Sequence, residues 1–132
     1  MRQPVPATAS RWIPWLVATA GASAVLLGAF GAHALRGVLD GEGRELWHTA
    51  SQYHFWHALA LALACLLPAG RAQRSAAAAF ALGIVLFSGS LYALALGAPR
   101  WCGAITPLGG VAFIVGWIAL GLALHRTDKR AS

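Results

Sequence analysis

Charge is scarce in this sequence, and negative charge most of all. Only 11% of the 132 residues are charged, where soluble domains carry about 25%. Just four are Asp or Glu: Asp40, Glu42 and Glu45 stand in one connection and Asp128 lies near the C-terminus. No long apolar run contains a carboxylate, which removes a hard-cation shell and the acid that would orient a histidine for hydrolysis. Cysteine is almost as rare. Cys65 and Cys102 permit one disulfide at most, and the topology derived below puts them at opposite membrane faces, so they are read as two unpaired thiols. There is no Cys-x-x-Cys-His for covalent haem attachment. Ser88 and Ser90 stand in "FSGSLY", not in a Gly-x-Ser-x-Gly elbow. No internal repeat or domain boundary is visible, and residues 1–132 are read as a single integral membrane domain.

Apolar residues fill the space left by charge, at 58% of the chain. A bilayer core about 30 Å thick needs roughly 20 apolar residues in a helix, and four segments supply them. The first spans about residues 12–35, with Pro14 harmless in its first turn. It continues too far to be a signal-peptide core of about 7–15 residues, so it is read as a retained helix. The second spans about 49–67 and stops at Pro68; "RELWHTASQYHFWHALALAL" lacks Gly and Pro, so its helix can start near Arg44 and rise out of the membrane. Its apolar part from Phe55 is short, so it crosses only if its polar head dips below the headgroups. The third covers about 75–97, ending before Pro99, and the fourth covers about 104–125. Residues 2–10 and 127–132 are read as frayed tails. The short turns between helices imply antiparallel neighbours, so the expected fold is an all-α, four-transmembrane-helix antiparallel bundle.

The ten Lys and Arg fix an orientation. Their net surplus of +6 forms no dense patch, which argues against nucleic acid. Arg2, Arg11, Arg71, Arg74, Arg126, Lys129 and Arg130 gather on one side, and Arg36, Arg44 and Arg100 on the other. The positive-inside rule then gives N-in/C-in. Trp12 and Trp15 suit one interfacial belt, and Trp47, Trp56 and Trp101 the other. Small residues recur every fourth position in the first helix (Ala20, Ala24, Gly28, Ala32). They do so again in the third (Gly89, Ala93, Gly97), and at alternating three- and four-residue steps in the fourth (Gly109, Ala112, Gly116, Ala119), as helices that approach closely require. These stripes are read as contacts within the bundle rather than a dimer seam.

With the helices running alternately, polar residues collect in one half of the membrane. His33 closes the first helix; Gln52, Tyr53, His54 and His57 head the second. Ser88, Ser90 and Tyr92 lie in the third, and Thr106 opens the fourth. The other half holds little beyond Thr19, Ser23 and Cys65. Such a cluster has two readings. Polar groups in lipid need partners, so it can be an interhelical hydrogen-bond network around a polar pocket. Facing histidines at matched depth also build cofactor sites in bundles, so His33 with His57 or His54 can instead hold a metal ion or a haem iron. Imidazoles that titrate near neutrality further suit proton or small-solute handling.

"GAFGAHAL" (28–35), "YHFWHALAL" (53–61), "FSGSLYAL" (87–94) and "ITPLGGVAFIVGW" (105–117) supply one motif per helix. Together they resemble the YgdD-type family of small membrane proteins, a domain of unknown function, over about residues 15–125. The signature residues here are Gly28, Gly31, His33, Tyr53, His57, Ser88, Gly89, Ser90, Tyr92, Thr106, Pro107, Gly109, Gly110 and Trp117. The resemblance implies a four-helix, multi-pass protein of the bacterial inner membrane, with small mitochondrial relatives, and it implies no reaction. The expectation is a non-enzymatic accessory or interaction protein, in contact with the bilayer and with a membrane-protein partner or a second copy. No cofactor is expected; haem or a metal on the outer histidines is the alternative.

Overall fold

The computed structural model describes residues 11–131. It contains four helices and, among the described residues, no strand. Helix α1 is Ile13–His33, α2 is Gly41–Cys65, and α3 is Arg71–Ala95. A 3-10 turn, Arg100–Ala104, leads into α4, Thr106–Ala131. The expected tail at 2–10 lies outside the described residues. The one expected from 127 is instead the last turns of α4 as far as residue 131.

Three of the helical stretches are long and apolar enough to cross a membrane: Ile13–His33, Arg71–Ala95 and Arg100–Lys129. Their outward surfaces are apolar too, with Trp15 75%, Val85 67% and Ile114 61% exposed. A water-soluble protein rarely leaves so much large apolar surface uncovered. Helix α2 has the length, but Glu42, Arg44, Glu45, His48 and Gln52 keep its first half polar.

The boundaries follow from local chemistry. Pro14 sits in the first turn of α1, where its missing N–H has no intrahelical partner to lose. Helix α2 begins at Gly41, three residues before the start read near Arg44, because Asp40 is an effective cap: its Oδ1 accepts the Gly43 N–H at 2.7 Å. Beyond Gly43 no Gly or Pro interrupts the helix before Cys65, and Trp47 and Ala50 already face the core. The end of α3 is a Schellman turn. Gly97 takes φ 90°, the Ala98 N–H reaches the Ala93 carbonyl at 3.0 Å, and the Gly97 N–H reaches Leu94 at 2.9 Å. Within α3, Ile84–Ser88 forms a π turn, and the Ser88 hydroxyl there is buried without a partner among the described residues.

The core forms where α2, α3 and α4 meet. Phe80 and Leu61 are fully buried, with Ile13, Ala64, Ala77, Phe113 and Leu120 around them. Glycines let α3 and α4 close. The space for a Cβ on Gly83 is taken by the Phe113 ring, one on Gly116 would lie 2.6 Å from Phe80 Cδ1, and one on Gly109 would overlap the Phe87 backbone. A second cluster, Leu35, Leu39, Trp47, Ala50, Leu91 and Tyr92, packs the far end of α2 and α3.

The small-residue stripes are thus only partly contacts. Gly109 and Gly116 serve as expected, and Ala24 is buried. A Cβ on Gly28 or Gly89 would meet no neighbouring helix within 4 Å, and Ala32 is exposed. In α1 it is Gly31 that touches a neighbour, the Trp47 indole of α2.

Candidate functional site

His54 and His57 lie at the middle of α2 rather than its head, since the helix starts at Gly41. Both are buried, and each serves a different interface. His54 turns toward α1 and α3. Its Nε2 is 3.2 Å from Ser23 Oγ, and that hydroxyl donates to the Thr19 carbonyl at 2.7 Å. Ser23 therefore accepts, Nε2 carries the imidazole proton, and Nδ1 is left as an acceptor facing the Tyr92 hydroxyl at 3.4 Å. The Tyr92 O–H donates to Ser51 Oγ at 3.3 Å, so toward Nδ1 it presents its oxygen and not a proton. The result is a chain of hydroxyl, imidazole, phenol and hydroxyl across three helices.

His57 turns toward α4. Its Nδ1–H donates to the Tyr53 carbonyl one turn earlier, at 2.7 Å, so Nε2 is the acceptor and takes the Trp117 indole N–H at 3.3 Å. The ring lies flat on Phe113, with centroids 3.4 Å apart and planes 10° from parallel. Tyr53 stacks beside it, 5.9 Å from His57 and 4.5 Å from Phe87. A third contact joins α3 to α4. Ser90 Oγ–H donates to the Phe87 carbonyl at 2.9 Å and accepts from Thr106 Oγ1–H at 2.6 Å.

The expected pocket residues are therefore distributed. His54 and Tyr92 form one cluster, His57 and Tyr53 a second, Ser90 and Thr106 a third. Ser88 is buried apart from all three without a partner among the described residues. His33 and Gln52 are exposed. His33 does not join His57. It closes α1 two residues beyond Gly31, which touches Trp47, and Trp47 is ten residues, about 15 Å, along α2 from His57. A metal on His57 would also have to displace the Trp117 donor from the one free lone pair. Among the described residues no three His, Cys, Asp or Glu side chains converge as a metal shell would require.

Three participants were not legible as site residues. Ser23, placed in the opposite half by sequence, is the partner of His54. Trp117, a signature residue without a role, is the partner of His57. Gln73, at the start of α3, is buried and donates to the Leu67 carbonyl at 2.9 Å, closing the α2–α3 turn.

Residues 27–110 match the family described as "Protein of unknown function (DUF423)". The chain belongs to this family. Its DUF423 region takes in all of α2 and α3, hence both buried histidines, Tyr92 and the Ser90–Thr106 pair, but neither Ser23 nor Trp117. Among DUF423 relatives, the UPF0382 membrane protein YwdK of Bacillus subtilis is 49% identical over 105 residues, covering 76% of this chain and 85% of its own length. A UPF0382 membrane protein of Haemophilus influenzae is 40% identical over 116 residues, covering 86% and 94%. The UPF0382 inner membrane protein YgdD of Escherichia coli is 40% identical over 129 residues, covering 92% and 95%. No solved structure matches the chain.

Proposed function

We propose that this chain is a multi-pass inner-membrane protein whose four helices all cross, antiparallel, with both termini in the cytoplasm. In this reading it works without catalysis, as an accessory or interaction protein. The observation that carries the reading is the saturation of the buried His57 ring. His57 Nδ1–H donates to the Tyr53 carbonyl and its Nε2 accepts the Trp117 N–H, so neither ring nitrogen is left for a metal or haem iron. Crossing by α2 is supported by its matched polar groups, since His54 and Trp47 both bond to α1, at Ser23 Oγ and the Leu27 carbonyl.

Topology is tested by single cysteines in a Cys65→Ala/Cys102→Ser background, labelled with an impermeant maleimide. Val38→Cys is expected to label in intact spheroplasts, and Asp128→Cys only after permeabilisation. If both label in intact spheroplasts, α2 does not cross. The role of the histidines is tested in protein purified in mild detergent. His57→Gln retains an acceptor for the Trp117 N–H but loses the stack on Phe113, so it is expected to cost about 1 kcal/mol. Neither parent nor variant is expected to carry haem or metal. A near-stoichiometric Soret band or metal signal that His57→Gln abolishes would overturn the reading.

A further inference from the structure

The connection between α1 and α2 segregates its charges. Asp40 and Glu42 line one groove together with Arg100. Arg36 and Arg44 line another, of about 650 Å³, to which no carboxylate contributes. This second groove runs down between α1 and α2. On its α2 wall stand Arg44, His48, Gln52 and Trp56, all exposed and spaced every fourth residue, about 6 Å apart along the helix. The wall thus passes from cation through imidazole and amide to indole. On the α1 wall, Arg36 gives way to Ala32 and Gly28. A Cβ at Gly28 would meet nothing within 4 Å, so the slot beneath the arginines is left unfilled by protein. Trp47 closes its inner side, locked by its bond to the Leu27 carbonyl at 3.0 Å.

We infer that this groove binds one anionic phospholipid. The phosphate sits between Arg36 and Arg44, the glycerol ester region lies beside His48 and Gln52, and an acyl chain lies in the slot over Gly28 against Phe55 and Trp56. Two facts favour this occupant over a protein segment. The lower wall belongs to a helix apolar and long enough to cross a membrane, where the surrounding medium is lipid. The order of side chains along α2 also follows the order of groups in a phospholipid, from headgroup to chain. Basic pockets at the ends of membrane helices recognise anionic headgroups through the same charge pairing.

Native mass spectrometry of the purified protein tests the assignment, with phosphatidylglycerol and phosphatidylcholine of identical chains added in detergent. One phosphatidylglycerol per chain is expected to be retained in preference to phosphatidylcholine. In Arg36→Gln/Arg44→Gln that preference is expected to fall by about thirtyfold, each arginine carrying about a fivefold share. Arg100→Gln, in the other groove, is expected to leave it unchanged. Gly28→Leu keeps both cations but fills the slot, and it is expected to weaken retention as well. Equal retention of the two lipids overturns the site, as does indifference to the double variant or to Gly28→Leu. Displacement of the lipid by excess inorganic phosphate would reduce the groove to a bare anion site, and a protein dimer in place of the lipid adduct would assign it to a second copy. Either result overturns the proposal.

Discussion

Gly109→Val is expected to separate α3 from α4 and to lower the unfolding free energy by about 3 kcal/mol or more, at the upper end of overpacking costs. The obstacle explains the size. A Cβ on Gly109 runs into the backbone of Phe87, which has no rotamer to escape by. At Gly83 and Gly116 the obstacle is a ring, Phe113 or Phe80, and a ring can tilt. The site also sits beside the Thr106–Ser90 bond at 2.6 Å, so pushing the helices apart there breaks their polar link as well. Titration with SDS in mixed micelles, followed by tryptophan fluorescence, measures the loss. Gly89→Val is the control, because its Cβ meets nothing within 4 Å, and it should stay within about 0.5 kcal/mol of the parent. A Gly109→Val variant as stable as that control would mean that the α3–α4 approach is looser than described.

Phe80→Ala is the second large effect. Phe80 is fully buried, wedges against Gly116 and meets Trp117 edge-on with centroids 5.4 Å apart. In soluble cores such truncations cost about 3–5 kcal/mol, part of it lost transfer from water. Here helices that separate within a bilayer keep Phe80 in hydrocarbon, so only the packing is lost. The expected cost is therefore about 2–3 kcal/mol, accompanied by a change in Trp117 emission as its edge contact disappears. A loss below about 1 kcal/mol would show that neighbouring side chains refill the space. A loss of the full soluble size would show that the dissociated state exposes this helix to water.

Apolar length made α1, α3 and α4 readable from sequence, because the bilayer thickness sets one criterion that each of them meets. The start of α2 was not readable in the same way. From Arg44 the lack of Gly and Pro allows a helix, but Gly41 and Gly43 read as a break, and only the Asp40 cap reveals that they belong to it. In α3 the every-fourth-residue pattern marked Gly89, whereas Gly83 makes the contact. The two lie on either side of the π turn Ile84–Ser88, where the helix winds more slowly and shifts every later residue around the axis. The stripe Gly89, Ala93, Gly97 lies wholly beyond that turn, after the shift, and so misses the face that Gly83 presents. The histidines were recognisable as unusual residues, but their partners were not. Trp117 is 60 positions from His57, and no local pattern encodes that pairing.

The packing arrangement bears on how the chain is made. Helix α1 packs chiefly on α2, α2 on α3, and α3 on α4, with little contact between α1 and α3. Every principal neighbour is thus the next helix to leave the ribosome, and each interface can form as soon as its second member arrives. Loop closure is short at each step, so the entropic cost of assembly stays small. The exceptions are the contacts of His57 with α4, its bond to Trp117 and its stack on Phe113, which have to wait for the last helix to be synthesised. That late bond makes the indole of Trp117 a natural reporter of completed assembly in a cell-free translation run with nanodiscs.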